Sequence, residues 1–366
     1  MSGNNAPKHG GNLYAAMRQK GGSLNEILDF SANINPLGLS EQIRQTLYAS
    51  LESIIHYPDV QGHALKQELS HYYHVKQEQI TLGNGAVELM YVLCHMLKPK
   101  RVLVTAPTFS EYESAARASG AAIEYFYLNA ADDFTIDIQG IAQQLPAIDI
   151  VFICNPNNPT GKLLSNGQIE ELVAMAKVHQ TYVVVDESFL DFLLDDHTYT
   201  CRSLLEKYNN LIILHSLTKF YAIPGLRLGF SLTNPELTNR LHAGKDPWNV
   251  NTLAQNAGVA ALRDEEYQHK SKEFIKKVNM DLYHSLLTIP GLKPYKPSVN
   301  FILINIKDTN LIAEELRQAL AAHNILIRDC SNYPGLSPDY IRIAVKSPEQ
   351  NHKLIAALQQ IIGGIE

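Results

Sequence analysis

Leu211-Ile212-Ile213-Leu214-His215-Ser216-Leu217-Thr218-Lys219 runs from four consecutive apolar residues into a polar segment that ends in a lysine. A short, unbroken apolar run bounded by polar residues predicts a strand buried on both faces, as in parallel sheets. A lysine just past the carboxyl end of such a strand lies where open α/β sheets gather their ligands. The same pattern recurs upstream. Arg101-Val102-Leu103-Val104, 122–128, Asp149-Ile150-Val151-Phe152-Ile153-Cys154 and Tyr182-Val183-Val184-Val185 read as strands, with helices predicted at 112–119 and 168–180. This βαβ alternation predicts an α/β fold with a mostly parallel sheet, and residues 228–232 add an antiparallel strand.

The rest of the chain is organised around that sheet. Residues 1–45 form an N-terminal arm that covers the site and joins a small domain, 46–260 form the large domain, and 261–366 form a smaller α+β domain. In the last segment, 299–306, 325–328 and 340–345 read as strands, while 311–323 and 350–362 read as helices. The 366 residues carry a net charge of -6, which gives no electrostatic reason to expect a nucleic-acid or anionic-membrane partner. No apolar run reaches membrane-spanning length, and MSGNNAPKHGGN lacks a signal-peptide core. Cys94, Cys154, Cys201 and Cys330 show no metal spacing, so the expectation is reduced thiols in a cytoplasmic protein without a metal.

Asn158, Asp186 and Lys219 each follow, or end, a short apolar strand, so a parallel sheet brings them to one edge. Singly, each has an ordinary explanation as a turn residue, a helix cap and a surface cation. Together they suit pyridoxal 5'-phosphate (PLP). A lysine can bond its aldehyde and shuttle protons, and a carboxylate can keep its ring nitrogen protonated. An amide such as Asn158 can donate to the phenolic oxygen, and Phe109 can stack on the ring. Gly83-Asn84-Gly85-Ala86 opens a helix whose free N–H groups can take a phosphate. Arg227, with Ser216 and Thr218, completes that set of donors.

Asn155-Pro156-Asn157-Asn158-Pro159-Thr160-Gly161, Asp186-Glu187, Ser216-Leu217-Thr218-Lys219 and Gly225-Leu226-Arg227-Leu228-Gly229 resemble, in order, the motif series of the fold-type I PLP aminotransferase superfamily. The resemblance implies that Lys219 is the Schiff-base lysine and Asp186 the pyridinium partner. It makes Asn158 the phenolic-oxygen donor, Arg227 a phosphate ligand, and Gly85 and Ala86 the phosphate-binding helix start. Tyr57 resembles a tyrosine that reaches the phosphate of a neighbouring subunit, which implies a homodimer. Phe189 departs from the pattern, because many relatives carry tyrosine three residues after the aspartate.

Arg342 resembles the α-carboxylate arginine, and Arg328 is a second cation nearby, so a small phosphorylated amino-acid substrate is expected. His9-Gly10-Gly11-Asn12, Asp29-Phe30-Ser31-Ala32-Asn33, Phe189 and Asn332-Tyr333-Pro334-Gly335 resemble most the branch that decarboxylates a phosphorylated threonine. That branch is itself similar to the histidinol-phosphate aminotransferases. The resemblance implies loss of CO2 from L-threonine O-3-phosphate, with His9, Asn33, Asn158, Arg328 and Arg342 contacting substrate. It also implies a role in making the aminopropanol linker of cobalamin. The core motifs alone leave decarboxylation and transamination of a substrate such as histidinol phosphate both open. A ligand-sensing regulatory module of the same fold is disfavoured, since the chain has neither the length nor the charge for a DNA-binding domain.

Overall fold

In the computed structural model, which describes residues 10–20 and 26–364, a seven-stranded sheet organises the chain. Its strands are β1 (Ile80–Gly83), β2 (Arg101–Ala106), β3 (Ala122–Tyr127), β4 (Ile150–Cys154), β5 (Tyr182–Asp186), β6 (Leu211–Ser216) and β7 (Gly229–Leu232). Across the sheet the order is β1-β7-β6-β5-β4-β2-β3, and only β7 runs against its neighbours. This is the α/β architecture expected, including the antiparallel strand at β7.

The apolar runs are continuous because both faces of the sheet are covered. Val104, Phe152, Val184, Ile212 and Leu214 pack on one side, beneath helices Ala86–Leu97 and Glu111–Ala118. Their sequence neighbours Leu103, Val151, Ile153, Val183, Val185 and Ile213 point into the core on the other side. The two-residue side-chain period of a strand therefore sorts one run into two cores.

Register carries this sorting to the functional edge. Cys154 lies opposite Asp186, and Asp186 opposite Leu214, so β4 and β5 end level while β6 runs on past that line to Ser216. Cys154, Asp186 and Ser216 share the parity of Phe152, Val184 and Leu214, so all three face the Ala86–Leu97 side. On the adjoining edge Gly83 opposes Gly229, and Gly229 opposes Ser216. A Cβ on Gly229 would sit 2.5 Å from the Ala86 nitrogen and 2.8 Å from the His215 carbonyl oxygen. Glycine here lets the helix start lie against the sheet.

A second, four-stranded sheet comprises β8 (Lys293–Pro294), β9 (Phe301–Asn305), β10 (Arg328–Asp329) and β11 (Tyr340–Ala344), in the order β10-β11-β9-β8. The segment expected as one strand over 325–328 is two. Ile325–Leu326 pairs in parallel with Leu28–Asp29, and Arg328–Asp329 pairs with β11. Near the chain start, Ala344 donates to the Phe30 carbonyl at 2.7 Å. The helix Glu265–Leu287 precedes this sheet and Pro348–Gly363 follows it. Among the described residues no helix is long and apolar enough to cross a membrane.

Gly229→Ala should lower stability by about 1–3 kcal/mol, the usual cost of forcing atoms into a packed site. Gly225→Ala is the control, because a Cβ there meets nothing within 4 Å. Thermal unfolding of the two variants checks this, and equal melting points would contradict the close packing at Gly229.

Candidate active site

The carboxyl ends of β4, β5 and β6 open into two adjoining cavities, of about 150 and 380 Å³. Val87, Phe109, Asn158, Phe189, Lys219 and Arg227 line both. The inner cavity adds Ala86, Asp186, Ser216 and Thr218, whereas the outer one adds Asn33, Arg328 and Arg342. Nearly all residues proposed from sequence are thus brought together.

The inner cavity has the donors a phosphate needs. Gly85 ends the turn before helix Ala86–Leu97 at φ 81°, in the left-handed region that glycine tolerates. A Cβ at Gly85 would lie 2.4 Å from Arg227 Nη2, so the missing side chain makes room for the guanidinium. Arg227 is itself held at φ 62°, and its Nη1 donates to the Pro224 carbonyl at 3.3 Å. The Ser216 and Thr218 hydroxyls lie 2.8 Å apart and line the same cavity. A helix N-terminus, a guanidinium and two hydroxyls match a phosphate in charge and donor number.

Asp186 is buried, and both of its oxygens are held. Oδ1 accepts from the Ser188 N–H at 2.9 Å, and Oδ2 from the Tyr112 hydroxyl at 2.6 Å. Lys219 extends over the Phe189 ring, with Nζ 5.4 Å from its centroid. Burial holds the Lys219 ammonium below the ordinary lysine range; Asp186 opposes that shift and Arg227 adds to it. More of the amine is therefore neutral at a given pH than in a surface lysine, as a nucleophile or proton acceptor requires. Phe189, at the position where many relatives carry tyrosine, also meets Phe301 edge-on at 5.1 Å. A carboxylate, an amine, an amide and a phosphate cradle around one cavity fit PLP in chemistry and charge.

In the outer cavity, Arg328 and Arg342 are Cα partners on β10 and β11. They are only 3% and 5% exposed. Arg342 donates to Asn158 Oδ1 and, at 2.8 Å, to the Ser31 carbonyl. Its buried Nε has no partner among the described residues, and the same is true of Asn33 Oδ1. Arg328 donates to Asn332 Oδ1 at 2.8 Å and lies 5.2 Å from the Tyr333 ring centroid. Gly10 lines this cavity as well, and the Gly11 N–H donates to Ser31 Oγ at 2.7 Å. The expected ligand His9 lies outside the described residues.

Among the described residues, Tyr57 lies apart from both cavities. It is 80% exposed and packs against Trp248, with centroids 4.8 Å apart. Tyr112 and Ser31 were missed as site residues in the sequence. Tyr112 reads there as an ordinary apolar position of a helix, and Ser31 contributes a backbone atom, which leaves no trace in side-chain identity.

Comparison with known proteins agrees with this geometry over nearly the whole chain. The chain is 35% identical over 358 residues to the threonine-phosphate decarboxylase of Salmonella typhimurium, covering 98% of this chain and 97% of that protein. The crystal structure of histidinol-phosphate aminotransferase from Clostridium acetobutylicum matches with a TM-score of 0.87 and 30% identity, over 92% of this chain and all of that one. The L-threonine-O-3-phosphate decarboxylase of Porphyromonas gingivalis matches with a TM-score of 0.83 and 28% identity, at 92% and 100% coverage. Residues 25–358 match the aminotransferase class I and II family, and the chain belongs to that family.

Proposed function

We propose that this protein binds PLP and decarboxylates L-threonine O-3-phosphate to (R)-1-aminopropan-2-ol O-phosphate, as a step of cobalamin biosynthesis. The observation that carries the reading is the buried arginine pair above Lys219. Like charges directly opposite across two strands destabilise a sheet, and a dianionic substrate would relieve that repulsion. The full-length similarity to the Salmonella typhimurium enzyme supports the same substrate.

In this reading Gly85, Ala86, Ser216, Thr218 and Arg227 hold the cofactor phosphate, Phe109 covers its ring, and Asn158 donates to its phenolic oxygen. Bound PLP supplies an electron-accepting ring for the pair left at the substrate Cα as CO2 departs. Asp186 keeps a proton on the ring nitrogen. Arg328 and Arg342 present cations to the substrate carboxylate and phosphate, with Asn33 and His9 as further contacts. Lys219 would hold the cofactor through its aldehyde and, once the substrate amine takes its place, its freed amine would take up the proton shed by the substrate ammonium and pass it to Cα.

The reading extends to organisation. Residues 46–260 form the PLP-binding domain, and 1–45 join 261–366, which carries the substrate arginines; the pairing of Leu28–Asp29 with Ile325–Leu326 supports that grouping. A cytoplasmic homodimer is part of the proposal, with Tyr57 serving the phosphate of a second copy. The exposure of Tyr57 beside Tyr48, Ile54 and Ile55 supports it.

Incubation of PLP-loaded protein with L-threonine O-3-phosphate, without a keto acid, should release CO2 and the phosphorylated amino alcohol in many-fold excess over enzyme. Keto-acid-dependent amino transfer from histidinol phosphate, with no CO2 from phosphothreonine, would instead assign an aminotransferase. Arg328→Met and Arg342→Met should each lower kcat/KM by roughly a hundredfold, the scale of a lost buried charge pair. Cofactor affinity should stay near that of the native protein in Arg328→Met, whereas Arg342→Met, which frees Asn158, should also weaken it. Steady-state kinetics beside PLP titrations separate the two effects.

A further inference from the structure

The Asp186 carboxylate is set in place from two directions. Oδ1 is fixed locally by the N–H of Ser188, two residues on. Oδ2 is fixed from a different element, by the hydroxyl of Tyr112 in helix Glu111–Ala118. At 2.6 Å this is a short O–H···O contact to a buried carboxylate, the charge-assisted class of hydrogen bond.

Tyr112 is built to hold that position. It has no exposed surface, and its ring stacks on Phe152 of β4, 5.0 Å away and 9° from parallel. Phe109 meets its edge at 5.6 Å. The phenol sits beside the ring-covering residue on one side and the carboxylate on the other. Burial, then Asp186, raise its pKa far above the ordinary tyrosine range, so it stays a proton donor at every working pH. Cys154, the Cα partner of Asp186, also keeps a neutral thiol, since burial and Asp186 push it up to about 12.

We propose that Tyr112 is a positioning residue for the cofactor ring nitrogen. By donating to Oδ2 it fixes the plane of the Asp186 carboxylate, with Ser188 fixing the other oxygen. The carboxylate then meets the ring nitrogen without reorganising. The inference rests on the PLP reading and goes beyond it by assigning a residue that acts only through Asp186.

A double-mutant cycle on cofactor binding tests it. PLP dissociation constants are measured by absorbance titration of four apoproteins: native, Tyr112→Phe, Asp186→Ala and the double variant. Tyr112→Phe keeps the ring and its stacking, and melting of each apoprotein reports any loss of fold separately. In the native background Tyr112→Phe should weaken PLP binding roughly tenfold to a hundredfold, the range for a hydrogen bond to a charged group. In the Asp186→Ala background the same substitution should have almost no effect, because the group it acts through is gone. Equal losses in both backgrounds would mean that Tyr112 acts by packing, and no loss in either would remove it from the site; each overturns the inference. Failure of the native apoprotein to bind PLP would overturn it together with the functional reading.

Discussion

Everything at this site depends on the register of three parallel strands. Because Cys154, Asp186 and Leu214 stand level in parallel strands, the segments leaving β4, β5 and, past Ser216, β6 all emerge at one edge of the sheet. Asn158, Asp186 and Lys219 can then face a single volume although they are far apart in sequence. Slipping one strand by a residue would turn its side chains to the opposite face. Asp186 would then point away from Tyr112 and towards the other core. The buried apolar runs that fix the register therefore also fix the chemistry.

The second constraint is charge. Lys219, Arg227, Arg328 and Arg342 line the two cavities, against Asp186 and Glu111. Burial disfavours the Lys219, Arg328 and Arg342 cations, and the cross-strand arginines disfavour one another. Arg342 meets only neutral acceptors, Asn158 Oδ1 and the Ser31 carbonyl, and its Nε has no partner among the described residues. Such an arrangement is tolerable in a fold and useful in a site, because an anionic ligand recovers the cost on binding. The Arg342–Asn158 hydrogen bond also joins the outer cavity to the inner one.

Much of this was legible in the sequence. Runs such as Ile150–Cys154 and Leu211–Ser216 announce a doubly covered sheet, and the polar residues at their ends announce its functional edge. Pairings between short, distant segments were not legible. Ile325–Leu326 and Arg328–Asp329 look like one strand in sequence, yet they pair with different partners. Likewise, nothing local marks Lys293–Pro294 as a strand; its pairing with β9 creates it. Site residues with special chemistry, such as Lys219 and Arg227, could be picked out by type. Tyr112 could not, since its role arises from a contact with Asp186, 74 residues away.

The central claim is that Lys219 is the residue to which the cofactor is bonded. The direct measurement is borohydride reduction of the PLP-loaded protein, followed by proteolysis and mass spectrometry of the pyridoxyl-bearing peptide. The account predicts a single label on Lys219, within the segment that follows β6. A label on another lysine, with Lys219 unmodified, would contradict it.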